Sequence, residues 1–237
     1  MEMKLKNLLS MSVFYLLMVC IFISAAYLGS EVTSTLAERI PLEREHIILI
    51  DPGHGGEDGG ATSISGKLES AYNLEISLGL RDLLHLLGFK TKMIRTQDES
   101  VYTQGQTIAE KKVSDLKNRV NMVNNEENPI LISIHQNTFS DSRYHGAQVF
   151  YGPKGESKTL AEALQRAFCQ TVNPGSNRAI KMADGIYLMQ HIDCTGVLIE
   201  CGFLSNPQED ALLQTKTYQQ KLNCVIAGTI SQFLTDS

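Results

Sequence analysis

The chain holds 237 residues, 43% of them hydrophobic, with a formal net charge of −5 at pH 7. That length and composition fit one or two ordinary globular domains. The acidic balance weighs against a nucleic-acid partner, which would call for a basic stripe; Lys111-Lys112 is a single solvated pair, and no internal repeat or low-complexity tract occurs.

The amino-terminal segment stands apart. Lys4 and Lys6 precede a run from Leu8 to Leu28 with no charged residue, about the length that crosses a bilayer as a helix. Ser24-Ala25-Ala26 equally offers small residues of the kind a signal peptidase accepts. Residues 1–28 are therefore expected to be a leader, either a signal peptide or a membrane anchor, with 29–44 a linker and 45–237 the folded body. Lysines ahead of the apolar run imply a cytoplasmic amino terminus and an exported body. Cys20 lies in the leader, and Cys169, Cys194, Cys201 and Cys224 are scattered. None forms C-x-x-C, so no thiolate zinc site is signalled; they read as small buried hydrophobes.

The stretch Ile47–Gly60, IILIDPGHGGEDGG, organises the body. Ile47–Ile50 is continuously apolar and largely β-branched, which predicts a strand buried on both faces. The run breaks at Asp51-Pro52-Gly53 and passes His54 into a glycine-rich loop, as α/β proteins do at the carboxyl ends of their strands. The dinucleotide pattern G-x-G-x-x-G fails at Asp58. The P-loop pattern fails too, since Leu68 follows Gly66-Lys67 and Ala61 holds the first glycine's place. A metal loop is the better reading.

A helix is expected next, to about Leu87, with Ala71, Leu74 and Leu78 at helical spacing and Gly88 as its stop. Glu69 falls at or just before its first turn, where composition alone reads it as a carboxylate complementing the helix dipole. Phe89–Arg95 alternates as a strand, Thr96–Lys112 reads as a polar loop, and Asp115–Asn125 as a helix. Ile130–Ile134 is another strand of the buried type, with His135 at its end. In a parallel sheet such ends share one side, so His54 and His135 converge, and the pair reads as metal ligands. Gly146–Tyr151 is a further strand and Ser157–Thr171 a helix. Strands are expected at Ile186–Met189 and Gly196–Ile199, the second delivering Glu200. Asn206 caps a short helix with Pro207 at its first position, and a last helix runs over about Gln219–Leu234.

Two histidines and a glutamate suit zinc, which takes three protein ligands and keeps a fourth position for water. The metal lowers that water's pKa to about 7 and polarises a carbonyl, the equipment of amide hydrolysis. Such a site also needs a carboxylate off the metal, to take the water's proton and pass it to the leaving amine. Glu200 is the candidate. No short H-E-x-x-H motif is present.

Four runs go further. IDPGHGGEDGGA (Ile50–Ala61), GKLES (Gly66–Ser70), ISIHQN (Ile132–Asn137) and VLIECGFLSNPQE (Val197–Glu209), in that order, closely resemble the zinc-dependent N-acetylmuramoyl-L-alanine amidases, the bacterial cell-wall family called amidase type 3. The resemblance implies an α/β three-layer sandwich whose central mixed, mostly parallel sheet is flanked by helices. It implies one Zn2+ per chain and hydrolysis of the bond between the lactyl group of N-acetylmuramic acid and L-alanine in peptidoglycan. It makes His54, Glu69 and His135 the metal ligands, reversing the helix-dipole reading of Glu69, and Glu200 the catalytic glutamate. A short leader and one catalytic domain without wall-binding repeats are similar to the germination-type branch. Those amidases strip spore-cortex muramic acid for conversion to muramic-δ-lactam. That branch implies an exported activating or localising partner, membrane contact through an uncleaved leader, and a place at the spore envelope. Two other readings stay open: a zinc peptidoglycan carboxypeptidase or endopeptidase, and a non-catalytic wall-binding protein on the same fold. The latter usually requires a lost ligand or glutamate, and none is missing.

Overall fold

Three apolar runs form the middle of a six-stranded sheet: β1 (Ile47–Pro52), β3 (Pro129–Asn137) and β6 (Thr195–Phe203). With β2 (Lys90–Met93), β4 (Gln148–Tyr151) and β5 (Lys181–Met182) the order is β2-β1-β3-β6-β4-β5. β2, β1, β3 and β6 are parallel to one another, β4 runs antiparallel to β6, and β5 follows β4. The structure is a computed structural model that describes residues 46–236 together with Met18, Val19, Ile23 and Ser24. Those four residues apart, the expected leader over 1–28 and linker over 29–44 lie outside the described residues. Among the described residues no helix is long and apolar enough to cross a membrane.

Alternation along the strands sorts the core into two layers. Ile48, Ile50, Ile130, Ile132, Ile134, Val197 and Ile199 are buried on one face against α1 (Glu69–Leu86), α3 (Ser157–Thr171), the short α5 (Pro207–Leu213) and α6 (Lys216–Asp236). Leu49, Leu131 and Leu198 are buried on the other, against α2 (Ile108–Asn124) and α4 (Tyr187–His191). Strands buried on both faces need the near-continuous apolar runs read from the sequence. The three-layer α/β sandwich with a mixed, mostly parallel sheet is therefore present as expected.

Three elements differ from expectation. Ile186–Met189, expected as a strand, leads into the helical turn α4: Ile186 stays extended, and Tyr187 stacks on His191 with ring centroids 3.9 Å apart. β6 already has β3 on one edge and β4 on the other, and β5 covers the outer edge of β4. The segment instead seals the second face with Leu188 and Met189. α2 begins at Ile108, inside the expected loop, because Thr107 and Glu110 form a capping box: the Glu110 amide donates to Thr107 Oγ1 at 3.2 Å and the Thr107 amide to Glu110 Oε2 at 3.1 Å. Finally, the cysteines, all free among the described residues, are not uniformly buried. Cys201 is buried, and burial pushes its thiol well above the ordinary range, but Cys224 is exposed on the solvent side of α6.

β1 continues through Asp51-Pro52, and two buried arginines hold the backbone where it leaves the sheet. Arg95 donates to the carbonyls of Pro52 (2.9 Å), Gly53 (3.0 Å) and Ser70 (2.9 Å). Arg119 donates to those of Pro52 (3.1 Å) and His54 (2.8 Å). Arg119 is also paired with Asp51 and Asp115, and Ser133 Oγ donates to Asp51 at 2.6 Å. Burial alone would raise the Asp51 pKa, yet Arg119 and Ser133 hold it below the usual carboxylate range. Breaking a buried pair from one side leaves an uncompensated charge. Arg119→Met is accordingly expected to cost about 3–5 kcal/mol in urea unfolding. Arg143→Met, which breaks the exposed pair with Asp141, should leave the midpoint unchanged. Equal, small effects from both would show that the arginine clamp does not stabilise the fold.

Candidate metal centre

His54 sits on the loop after β1 with φ 60, a left-handed backbone that bulky L-residues seldom adopt. Its carbonyl is tied to Arg119, and Gly55 and Asp58 exchange backbone hydrogen bonds of 2.8 and 3.3 Å around it. Gly53 is obligatory, since a methyl group there would overlap the His135 ring. Glu69 is the first residue of α1, its amide donating to Ala61 O at 2.8 Å. His135 lies in β3, which runs on to Asn137, and pairs in register with Glu200 of β6, which runs on to Phe203.

These elements bring the sequence-selected residues together. Among the described residues, His54, Glu69 and His135 form a candidate metal cluster whose ligand atoms all lie within 4.8 Å of one another. Glu69 is the hub. Its Oε1 is 3.3 Å from His54 Nε2 and 3.0 Å from His135 Nδ1. It also accepts from the Gln136 amide at 3.2 Å, while Oε2 accepts from the Ala61 amide at 3.0 Å. The imidazoles meet edge-on, centroids 5.0 Å apart and planes at 74°. Two imidazole nitrogens and one carboxylate oxygen are the donor set that zinc takes when a coordination position stays open.

Four supporting residues were not legible as such. Asp58 Oδ2 accepts from His54 Nδ1 at 3.0 Å and pairs with Lys112 Nζ at 3.1 Å, fixing the ring. Asn73 donates to Gly53 O at 3.1 Å, and Arg119 holds the His54 carbonyl. Asp58 stood inside the glycine-rich motif four residues after His54, and that proximity was the one signal for a carboxylate orienting the ring.

The charges are separated by environment. Burial alone would lower the His54 pKa, but its hydrogen bonds to Asp58 and Glu69 outweigh that and raise it to about 9. Burial works against the Glu69 carboxylate as well, yet His135 and His54 hold it ionised far below its ordinary range. Glu200 goes the other way: burial first, then the Glu69 charge, push it up to about 7, partly offset by His135 and His54. Its Oε2 is buried with no hydrogen-bond partner. Glu200, His54, His135 and Lys112 line one cavity of about 250 Å³, closed on its apolar side by Ile186, Leu188 and Leu198.

A ligand trio at the carboxyl edge of a parallel sheet, opening on a cavity with a buried unpartnered carboxylate, defines the class: a candidate metallohydrolase site on an α/β sandwich. Residues 48–232 match the family model described as N-acetylmuramoyl-L-alanine amidase. The germination-specific N-acetylmuramoyl-L-alanine amidase of Bacillus subtilis is 38% identical over 193 residues, 80% of each chain. The probable cell wall amidase LytH of Staphylococcus epidermidis is 28% identical over 198 residues, covering 81% of this chain and 60% of that protein. The CwlD amidase from Clostridioides difficile, solved in complex with the GerS lipoprotein, has a TM-score of 0.77 at 38% identity, covering 82% of this chain and all of that one. The chain belongs to the N-acetylmuramoyl-L-alanine amidase family.

A metal that takes His54 as a ligand would have to displace the proton His54 carries between its two carboxylates, because a ligating imidazole is neutral. At about pH 8 His54 (pKa about 9) is still protonated, whereas Glu200 (about 7) is largely ionised. Zn2+ added to metal-free protein at that pH is expected to release more than one proton, about one from His54 and a further share as the bound water ionises. Affinity should rise with pH and level off above about 9. Calorimetry in two buffers of different ionisation enthalpy checks this, and uptake with no proton release would exclude His54 as the displaced acid.

Proposed function

We propose that this chain hydrolyses the amide bond between the lactyl group of N-acetylmuramic acid and L-alanine in spore-cortex peptidoglycan. In this reading Zn2+ is held by His54, Glu69 and His135, and Glu200 is the acid–base catalyst. The observation that carries it is Glu200 Oε2: a buried carboxylate oxygen without a partner, strand-paired to His135 and lining the cavity onto which both histidines open. A buried polar atom left unsatisfied costs stability unless a ligand completes it.

When bound, zinc supplies a Lewis acid that polarises the amide carbonyl and makes water acidic near neutral pH. The chain's residues do the rest. Asp58 fixes the His54 ring through Nδ1, and the Gln136 and Ala61 amides fix the two oxygens of Glu69. Glu200 Oε2 takes the proton of the attacking water and delivers it to the departing L-alanine nitrogen. A carboxyl whose pKa stands at about 7 in the metal-free site is well matched to both halves of that transfer. Leu198, Leu188 and Ile186 keep one wall of the cavity apolar.

The cortex assignment draws on the germination-specific relative. CwlD was solved with a lipoprotein, which supports an exported lipoprotein partner here as well. Residues 1–28 serve as signal or anchor, 29–44 as the linker and 45–237 as the catalytic domain, so that the enzyme works outside the cytoplasm at the spore envelope. Digestion of purified peptidoglycan, with and without chelator and with mass analysis of the products, tests the bond. New L-alanine amino termini are expected, and cleavage between amino acids instead would favour a carboxypeptidase or endopeptidase.

Glu200→Gln keeps shape but cannot carry the proton, so turnover should fall at least about 10²-fold while zinc content and unfolding midpoint persist. Near-normal turnover in the zinc-loaded variant overturns the role. His135→Ala should lose zinc and activity together, as read by elemental analysis; full zinc occupancy would remove His135 from the ligand set.

A further inference from the structure

Among the described residues, Phe139 (50% exposed) and Tyr144 (47%) are the only exposed phenylalanine or tyrosine residues, Tyr102, Phe150, Tyr151 and Tyr187 being half-buried. Both lie on the loop between β3 and β4. Their ring centroids are 4.5 Å apart and tilted by 58°, and Tyr144 stands 6.3 Å from the buried Phe203, whose ring carries the Arg178 guanidinium at 4.7 Å. The loop is not free. The Phe139 amide donates to Ser205 Oγ at 3.0 Å, and the Asn206 side chain donates to the carbonyls of Ser142 (2.9 Å) and Tyr144 (3.4 Å). Buried Glu209 takes the amides of Gly146 (2.9 Å) and Phe203 (2.8 Å). The two rings are thus held out to solvent on a rigid support, which lowers the ordering cost of any ligand that stacks on them.

Their position ties them to the site. Phe139 follows His135 by four residues, and Phe203 follows Glu200 by three. At about 3.3 Å per strand residue, the aromatic platform lies roughly 10–13 Å along the sheet edge from the reacting centre. A groove of about 640 Å³ continues from it, lined by Tyr144, His145, Asn177 and Arg178. Its guanidiniums are already engaged: Arg143 with Asp141, and Arg178 with the His145 carbonyl and Gln148 Oε1. Tyr144, Asn177 and His145 remain to meet a ligand. Two exposed aromatic rings beside such polar groups suit a pyranose, whose C–H face lies on a ring while its hydroxyl and acetamido groups meet polar side chains.

We propose that Phe139 and Tyr144 form a saccharide subsite that binds a sugar of the same glycan strand, next to the muramic acid whose amide is cut. This rests on the amidase reading above. The test uses the full chain and the Phe139→Ala/Tyr144→Ala variant, with Phe139→Tyr as the conservative control. Soluble peptide-free glycan strands and free stem peptide are the two binding probes. The double variant is expected to bind the glycan about tenfold more weakly, with KM for peptidoglycan raised to match. Its kcat, its turnover of a single muramoyl-peptide and its thermal midpoint should be unchanged, and Phe139→Tyr should bind as the native chain does. Unchanged glycan affinity overturns the subsite, as does weakening toward stem peptide alone or no glycan binding by the native chain. If the native chain binds glycan through these rings but releases no L-alanine amino group, the amidase reading fails and the subsite stands.

Discussion

The structure turns on three backbone carbonyls, those of Pro52, Gly53 and His54, at the point where β1 leaves the sheet. Past a strand end, such groups lose their ladder partners and, if buried, must find others. Arg95 and Arg119 meet all three from opposite sides. This allows the chain to hold His54 at a positive φ within a buried environment and still be a single conformation. It also explains why buried guanidiniums stand here rather than ammoniums: each planar fork reaches several carbonyls at once.

On that fixed loop, one carboxylate is asked to be an anion and another to hesitate. Glu69 begins a helix, accepts two backbone amides and touches both imidazoles, so its charge is favoured despite burial. Glu200 is sunk in a strand with an unpartnered oxygen and a like charge nearby, so its charge is disfavoured. Pairs of titratable groups pushed apart by environment mark the division of labour in hydrolytic sites. Here the division follows from secondary structure: helix start against strand interior.

The central strands, and His54, His135 and Glu200 as candidate site residues, were legible because they depend on local signals. Runs such as Ile130–Ile134 are apolar on both faces, and a histidine or glutamate after such a run is conspicuous. Glu69 was legible only through family motifs; alone it looked like any acidic residue at a helix start. The expected strand at Ile186–Met189 failed because periodicity cannot show which sheet edges are already taken. The early start of α2 was written in Thr107 and Glu110 but masked by the exposed Ile108 and Val113, which blur its apolar side. Arg95 and Arg119 gave no signal at all, since a buried arginine is defined by carbonyls remote in sequence.

The register that sets His135 beside Glu200 also sets Ile134 beside Ile199 and Ile132 beside Val197. Side chains alternate across a sheet, so slipping β6 by one residue against β3 would put Val197 and Ile199 in the layer that Leu198 fills, and Leu198 in theirs, against surfaces shaped for other side chains. His135 and Glu200 therefore cannot be misaligned without repacking both layers of the core. The isoleucines and valines thereby act as an error check on alignment: a molecule packed well enough to persist is one in which the histidine and the glutamate already stand side by side.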